Sequence, residues 1–125
     1  FMLQKDISVL NINGQSLPIE LAATPAEQVK GLSDRTEIGS TGLLFIFPNT
    51  DTHGIWMKDM QFSIDILWLD NEYKVIHIEE NVSPPTFPKI FYPSQPAKYV
   101  FEVDSGFVFK YKIEVGQKLE FSIKN

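Results

Sequence analysis

Apolar and polar positions alternate with a period of two over several short stretches of the chain, and few stretches carry a helical period. Asp6–Ile12 sets Ile7, Val9 and Asn11 against Ser8, Leu10 and Ile12, which predicts a strand. Asn13-Gly14 follows, a pair that tolerates positive φ and closes tight hairpins, so Ser16–Leu21 is expected to return as the partner strand. Pro18 has no N–H to donate and places that partner at a sheet edge. Gly42–Phe47 is apolar on both faces and reads as a buried strand ending at Pro48. Ile55–Met60, Ser63–Asp70, Tyr73–Glu79, Ala97–Val103 and Lys118–Ile123 are the remaining strand candidates.

Helical signals are confined to two places. Thr24-Pro25-Ala26-Glu27 combines an N-cap, a proline at the first helical position and a capping-box acid, and Gly31 supplies the stop. The spacing predicts two turns with Ala26 and Val29 facing the core and Leu32 packing just beyond. In the second place the residues conflict: Phe107, Phe109 and Tyr111 alternate as in a strand, while Asp104 or Ser105 can cap a short helix. Five of the eight prolines fall in residues 84–96, interleaved with Phe87, Phe91 and Tyr92. That composition predicts a long irregular loop, ordered over part of its length because its rings favour burial.

With 125 residues, no repeat and no linker, the chain reads as one domain, 1–125. Many short strands and little helix argue for a mainly β sandwich or a partly open barrel with one or two marginal helices. No cysteine is present, which excludes disulfides, thiolate nucleophiles and cysteine-ligated metal centres. The net charge of −5 argues against a nucleic-acid partner. Residues 51–80 carry two lysines against seven acids, whereas residues 81–125 carry six lysines against four acids. Arg35 is the one arginine, so a multi-arginine anion clamp is impossible. No apolar run approaches the ~20 residues that cross a bilayer, so no membrane insertion is expected. Phe1-Met2-Leu3 is too short for the apolar core of a signal peptide, which puts any leader or anchor upstream.

An ordered series of short motifs resembles the domain of unknown function 192 family. It runs from about Leu21 to Leu119 through Thr24-Pro25-Ala26-Glu27, Gly31-Leu32 with Arg35, and Gly42-Leu43-Leu44-Phe45. Ile55-Trp56-Met57-Lys58-Asp59, Ile64-Asp65-Ile66, Tyr92-Pro93-Ser94, Ala97-Lys98-Tyr99-Val100 and Ile113-Glu114-Val115-Gly116 complete it. The resemblance implies a jelly-roll-like β-sandwich and a helix over Gly106–Lys112. Many members carry an N-terminal signal or anchor, which implies an exported or cell-envelope protein. Many also carry paired cysteines in the stretch matching the proline-rich loop; here that pair is missing. The resemblance brings no established activity, cofactor or catalytic residue.

Candidate chemistry is sparse. His53 and His77 offer little for a metal beyond Asp51-Thr52-His53, and no metal or other cofactor is expected. No Gly-x-Ser-x-Gly elbow and no phosphate-cradling glycine loop occurs. Trp56, Trp68, Phe87, Phe91 and Tyr92 line a groove for a small molecule, glycan or peptide where the proline-rich loop folds over a sheet face; the alternative is that Trp56 and Trp68 are core, and Tyr92 is the ring expected to be exposed. Strand alternation sets Lys58 and Asp65 each in an apolar row. If Gln61-Phe62 is a two-residue connection, the two charges face each other, most simply as a structural ion pair. The leading expectation is a non-catalytic binding domain of the cell envelope, with Trp56, Lys58, Asp65, Phe91, Tyr92, Ser94 and Arg35 as ligand-binding candidates. Its rivals are a small hydrolase or isomerase using Lys58 and Asp65 with Tyr92 or Ser94 assisting, and an accessory module of a larger assembly.

Overall fold

The computed structural model describes residues 7–124, so Phe1-Met2-Leu3 and Asp6 lie outside the described residues. The fold is mainly β with two short helices. Strands β1 (Val9–Ile12) and β2 (Gln15–Pro18) form the hairpin expected at Asn13-Gly14, whose φ values of 51° and 76° suit a two-residue turn. Pro18 sits on the edge strand of a three-stranded sheet completed by β10 (Glu120–Ser122) on the other side of β1. A five-stranded sheet has the order β3 (Glu20–Ala22), β4 (Gly42–Asp51), β9 (Ala97–Asp104), β6 (Ile64–Leu69), β7 (Val75–Val82). A small ribbon pairs β5 (Ile55–Trp56) with β8 (Ile90–Phe91). The sheets stay open, and no barrel closes among the described residues.

Both faces of the five-stranded sheet are covered, which is why β6 is buried at all six positions. One face packs Leu44, Leu67, Leu69, Phe101 and Val103 against Leu10 and Ile12 of β1 and against Phe107 and Val108. The other packs Phe45, Ile64, Ile66, Trp68 and Val100 against Leu32, Ile38, Met57 and Phe91. Gly42 is required where β4 meets β9: a Cβ there would stand 2.7 Å from the Glu102 carbonyl oxygen.

Several elements differ from the alternation pattern. β4 continues through Pro48 to Asp51, because the irregular register after Ile46 removes the need for a proline N–H. The Ile55–Met60 strand shrinks to two residues, since a turn at Lys58 and Asp59 ends it. The proline-rich segment contains a 3-10 turn at Pro84–Thr86, a cis Phe87–Pro88 bond and β8. The conflicted segment is helical, α2 (Phe107–Tyr111), with Gly106 as N-cap and no capping side chain from Asp104 or Ser105.

The cap comes from elsewhere. Asp65 on β6 is fully buried, and its Oδ2 accepts from the N–H groups of Gly106 (3.2 Å) and Val108 (3.0 Å). Its Oδ1 accepts from the Asn81 N–H at 2.9 Å. Three backbone donors thus satisfy one buried carboxylate and join β6, the end of β7 and α2. The expected Lys58–Asp65 pair does not form. β5 pairs with β8 and β6 with β7 and β9, so Gln61-Phe62 closes no hairpin between them. We expect Asp65→Ala to lower the unfolding free energy by about 3 kcal/mol in urea titrations. Asp104→Ala, at an exposed position near the same helix, should change it by less than about 0.5 kcal/mol.

Candidate functional site

The first helix, α1 (Pro25–Lys30), has the expected capping box: Thr24 Oγ1 accepts from the Glu27 N–H, and Glu27 Oε1 accepts from the Thr24 N–H. The N–H groups of Thr24 and Ala23, both donating to Glu27 Oε1, hold the Glu27 carboxyl below its usual range. Contrary to the helical spacing, Ala26 and Val29 do not reach the core; Val29 is 86% exposed. The helix is attached by other means. Gln28 Nε2 donates to the carbonyls of Ala22 (3.1 Å) and Ile46 (2.9 Å), and Leu32 is buried just past the helix end. Gly31, at φ 49°, lets the Phe45 ring come close. The 31–34 turn then docks on the 57–60 turn, with Ser33 Oγ donating to the Lys58 carbonyl and the Asp34 N–H to the Asp59 carbonyl.

Because α1 is tethered at its end and not along an apolar face, a groove stays open beneath it. Val29, Lys30 and Leu32 contribute to one side and Ile55 and Trp56 to the other, with Phe45, Phe47 and Met60 also lining it. The cavity measures about 460 Å³. Trp56 is 46% exposed; its ring tilts against Phe87 at 5.1 Å between centroids, and Lys58 Nζ stands 5.8 Å from its centroid. The proline-rich segment therefore backs this wall: Ile90 pairs with Trp56, and Phe91 is buried behind it.

Glu102 also borders the groove. It lies on β9 between Leu43 of β4 and Ile66 of β6, on the same face as Val100, and only 4% of the residue is exposed. Among the described residues no hydrogen bond or ion pair to its carboxyl occurs, and because none of their fully buried side-chain polar atoms is left unsatisfied, that carboxyl opens onto the groove. Burial pushes its pKa up from 4.5 to about 8, so the acid is mostly neutral at pH 7. The other polar side chains at the groove differ: Gln28 and Ser33 already donate to backbone carbonyls, and Lys30 is exposed.

The sequence candidates fall in different places. Trp56 lines the groove, with Lys58 at its rim. Trp68 is core, its Nε1 donating to the His53 carbonyl, so the two tryptophans part company. Asp65 faces α2, on the opposite side of the sheet from Trp56 and Lys58, and its acceptors are already engaged. Tyr92 is exposed and packs close to Gly54; Ser94 Oγ donates to the Ile76 carbonyl. Arg35 pairs with Glu20 at 2.9 Å and donates to the Ile38 carbonyl, fastening the loop before β4. His53 stacks on Phe47, and His77 pairs with Glu79 at 2.7 Å. Lys58, Asp65 and Ser94 do not converge, so the hydrolase or isomerase arrangement is not assembled. Sequence reading missed Glu102, although a single acid in the apolar run Tyr99–Val103 was a visible signal.

Together these features define a class: a small, mainly β domain whose open apolar groove borders a buried carboxyl. The chain belongs to the DUF192 family, described as "Uncharacterized ACR, COG1430", whose family model matches residues 8–121. It is similar to UPF0127 proteins of Pyrococcus furiosus, at 29% identity over 85 residues, and of Pyrococcus abyssi, at 36% over 84 residues. Those matches span 64% and 63% of this chain and 67% and 66% of the relatives. Two crystal structures are similar over 91% of the chain at 28% identity. One, described as a "putative transcription regulator" from Sinorhizobium meliloti, has a TM-score of 0.81 with 91% of that chain covered. The other, a protein of unknown function from Novosphingobium aromaticivorans, has a TM-score of 0.79 with 83% covered.

The raised pKa makes Glu102 a source of pH-dependent stability. The folded state holds its proton more tightly than the unfolded chain, so the stabilisation is fully present below about pH 4.5. It declines as pH rises toward 8 and then levels off. Glu102→Gln should flatten that decline, and above pH 8 the variant should be more stable than the parent by a few kcal/mol. Parallel denaturant titrations of both proteins from pH 4 to 9 measure the difference.

Proposed function

We propose that this domain is a non-catalytic binding module whose groove between α1 and the β5–β8 ribbon takes a small, largely apolar organic molecule. The observation that carries the reading is the groove itself: Phe45, Phe47, Met60 and Trp56 line a cavity large enough for such a molecule. Its walls are held from outside, by Gln28 and the capping box on one side and by Phe87 and β8 on the other. A glycan fits less well, because Gln28 and Ser33 are already committed to backbone carbonyls. The sandwich reading of the fold and an exported or cell-envelope location belong to the same proposal. The first draws support from the covered sheet faces, the second from the family resemblance alone. One structural relative carries a transcription-regulator description. The net charge of −5 weighs against direct nucleic-acid contact in this chain.

The neutral dye N-phenyl-1-naphthylamine tests the groove. Its fluorescence should rise on mixing with the domain, and the rise should be lost in Val29→Arg and Trp56→Ala. Phe109→Ser alters another exposed apolar residue, on α2, and should leave the signal intact. Loss with Phe109→Ser and retention in both groove variants would overturn the reading.

A further inference from the structure

Resting on the groove reading above, we infer that Glu102 is the recognition group of the site and that the ligand is an organic amine, its ammonium on the Glu102 carboxyl and its apolar body against Phe45, Phe47, Met60 and Trp56. The geometry carries this. Glu102 is locked between β4 and β6 in the middle of the sheet, almost wholly buried, and unpartnered among the described residues. Asp65, buried as deeply, has three backbone donors. A carboxyl without protein donors that opens onto an apolar groove gains most from a compact positive charge that brings its own N–H groups.

The charges around Glu102 support the assignment. Its nearest neighbours on that face of the sheet, Leu43, Phe45, Ile64, Ile66 and Val100, are apolar, and the charged residues farther along the same row are already paired, Glu20 with Arg35 and Glu79 with His77. From the 31–33 turn, Leu32 and Ser33 border the groove, and from the β5 side Ile55, Trp56 and Met60 do; none is charged. Two lysines stand at or near the groove, Lys30 of α1 in its lining and Lys58 with its Nζ 5.8 Å from the Trp56 ring centroid; both side chains are exposed, so each ammonium is hydrated and screened. An anionic ligand would therefore gain little from either lysine, while its charge would enter an acid-bordered apolar space. A cation that reaches Glu102 ionises it, and the proton leaves to solvent.

Three matched probes test the inference: phenethylamine, 2-phenylethanol and hydrocinnamate, titrated calorimetrically at pH 7 in phosphate and in Tris. Phenethylamine should bind about tenfold more tightly than the alcohol and hydrocinnamate most weakly. Amine binding should release close to one proton, read from the difference between the buffers. Glu102→Gln, which keeps the side-chain shape, should abolish the release and bring amine and alcohol together. Phe109→Ser, on α2 away from the groove, should preserve the amine preference. Equal binding of amine and alcohol to the parent protein, or an amine preference that persists in Glu102→Gln, would overturn the assignment to Glu102 and leave the groove standing. Preferred binding of hydrocinnamate, lost in Lys30→Ala, would overturn it in favour of an anion. Failure of all three probes, or binding unchanged in Val29→Arg and Trp56→Ala, would overturn both the inference and the groove.

Discussion

β9 is hydrogen-bonded along both edges, to β4 through Gly42–Ile46 and to β6 through Ile64–Leu69, so each side chain from Tyr99 to Val103 is committed to a covered face. The rest of the domain follows from that constraint. The β1 hairpin and α2 close one face; Leu32, Ile38, Met57 and Phe91, all from irregular segments or two-residue strands, close the other. Irregular segments cover a flat sheet less completely than a second sheet does, and the gap between α1 and the β5–β8 ribbon is what they leave.

Two carboxyls are buried on opposite faces of this sheet, and the fold treats them differently. Asp65 lies where β6 passes under the start of α2, and the free N–H groups of that helix turn toward it. Glu102 lies where the covering layer is thinnest and meets neither a helix start nor a turn. The first carboxyl is part of the scaffold, and replacing it removes a joint. The second has no protein donor among the described residues and opens onto the groove, a pattern that marks sites of binding more often than sites of assembly.

Much of the scaffold was legible in the residues because its signals are local. Asn13-Gly14 could form its turn with few alternatives, and Thr24, Pro25 and Glu27 specify a helix start through contacts no more than four residues apart. The site was less legible because its parts are distant in the chain. Alternation put Lys58 and Asp65 on facing strands, but strand pairing depends on which segments meet, and β5 found β8 more than thirty residues away. Helical spacing assigned Val29 to the core, yet a two-turn helix held by its cap, Gln28 and Leu32 need not bury its apolar side. Trp56 and Trp68 look alike in sequence, and only the sheet order separates a groove wall from a core ring.

The attachment of α1 has a consequence for how the domain moves. The helix buries none of its own residues, so opening it forfeits a capping box and the two Gln28 hydrogen bonds but little hydrophobic contact. Its opening free energy is then set apart from that of β9 and β6, which open only with the whole core. On that ground amide exchange is expected to be faster and more local in α1 than in the central strands. One wall of the groove is compliant and the strand bearing Glu102 is rigid. Such a site can adjust its width to the girth of what enters while holding its acidic end in a fixed place.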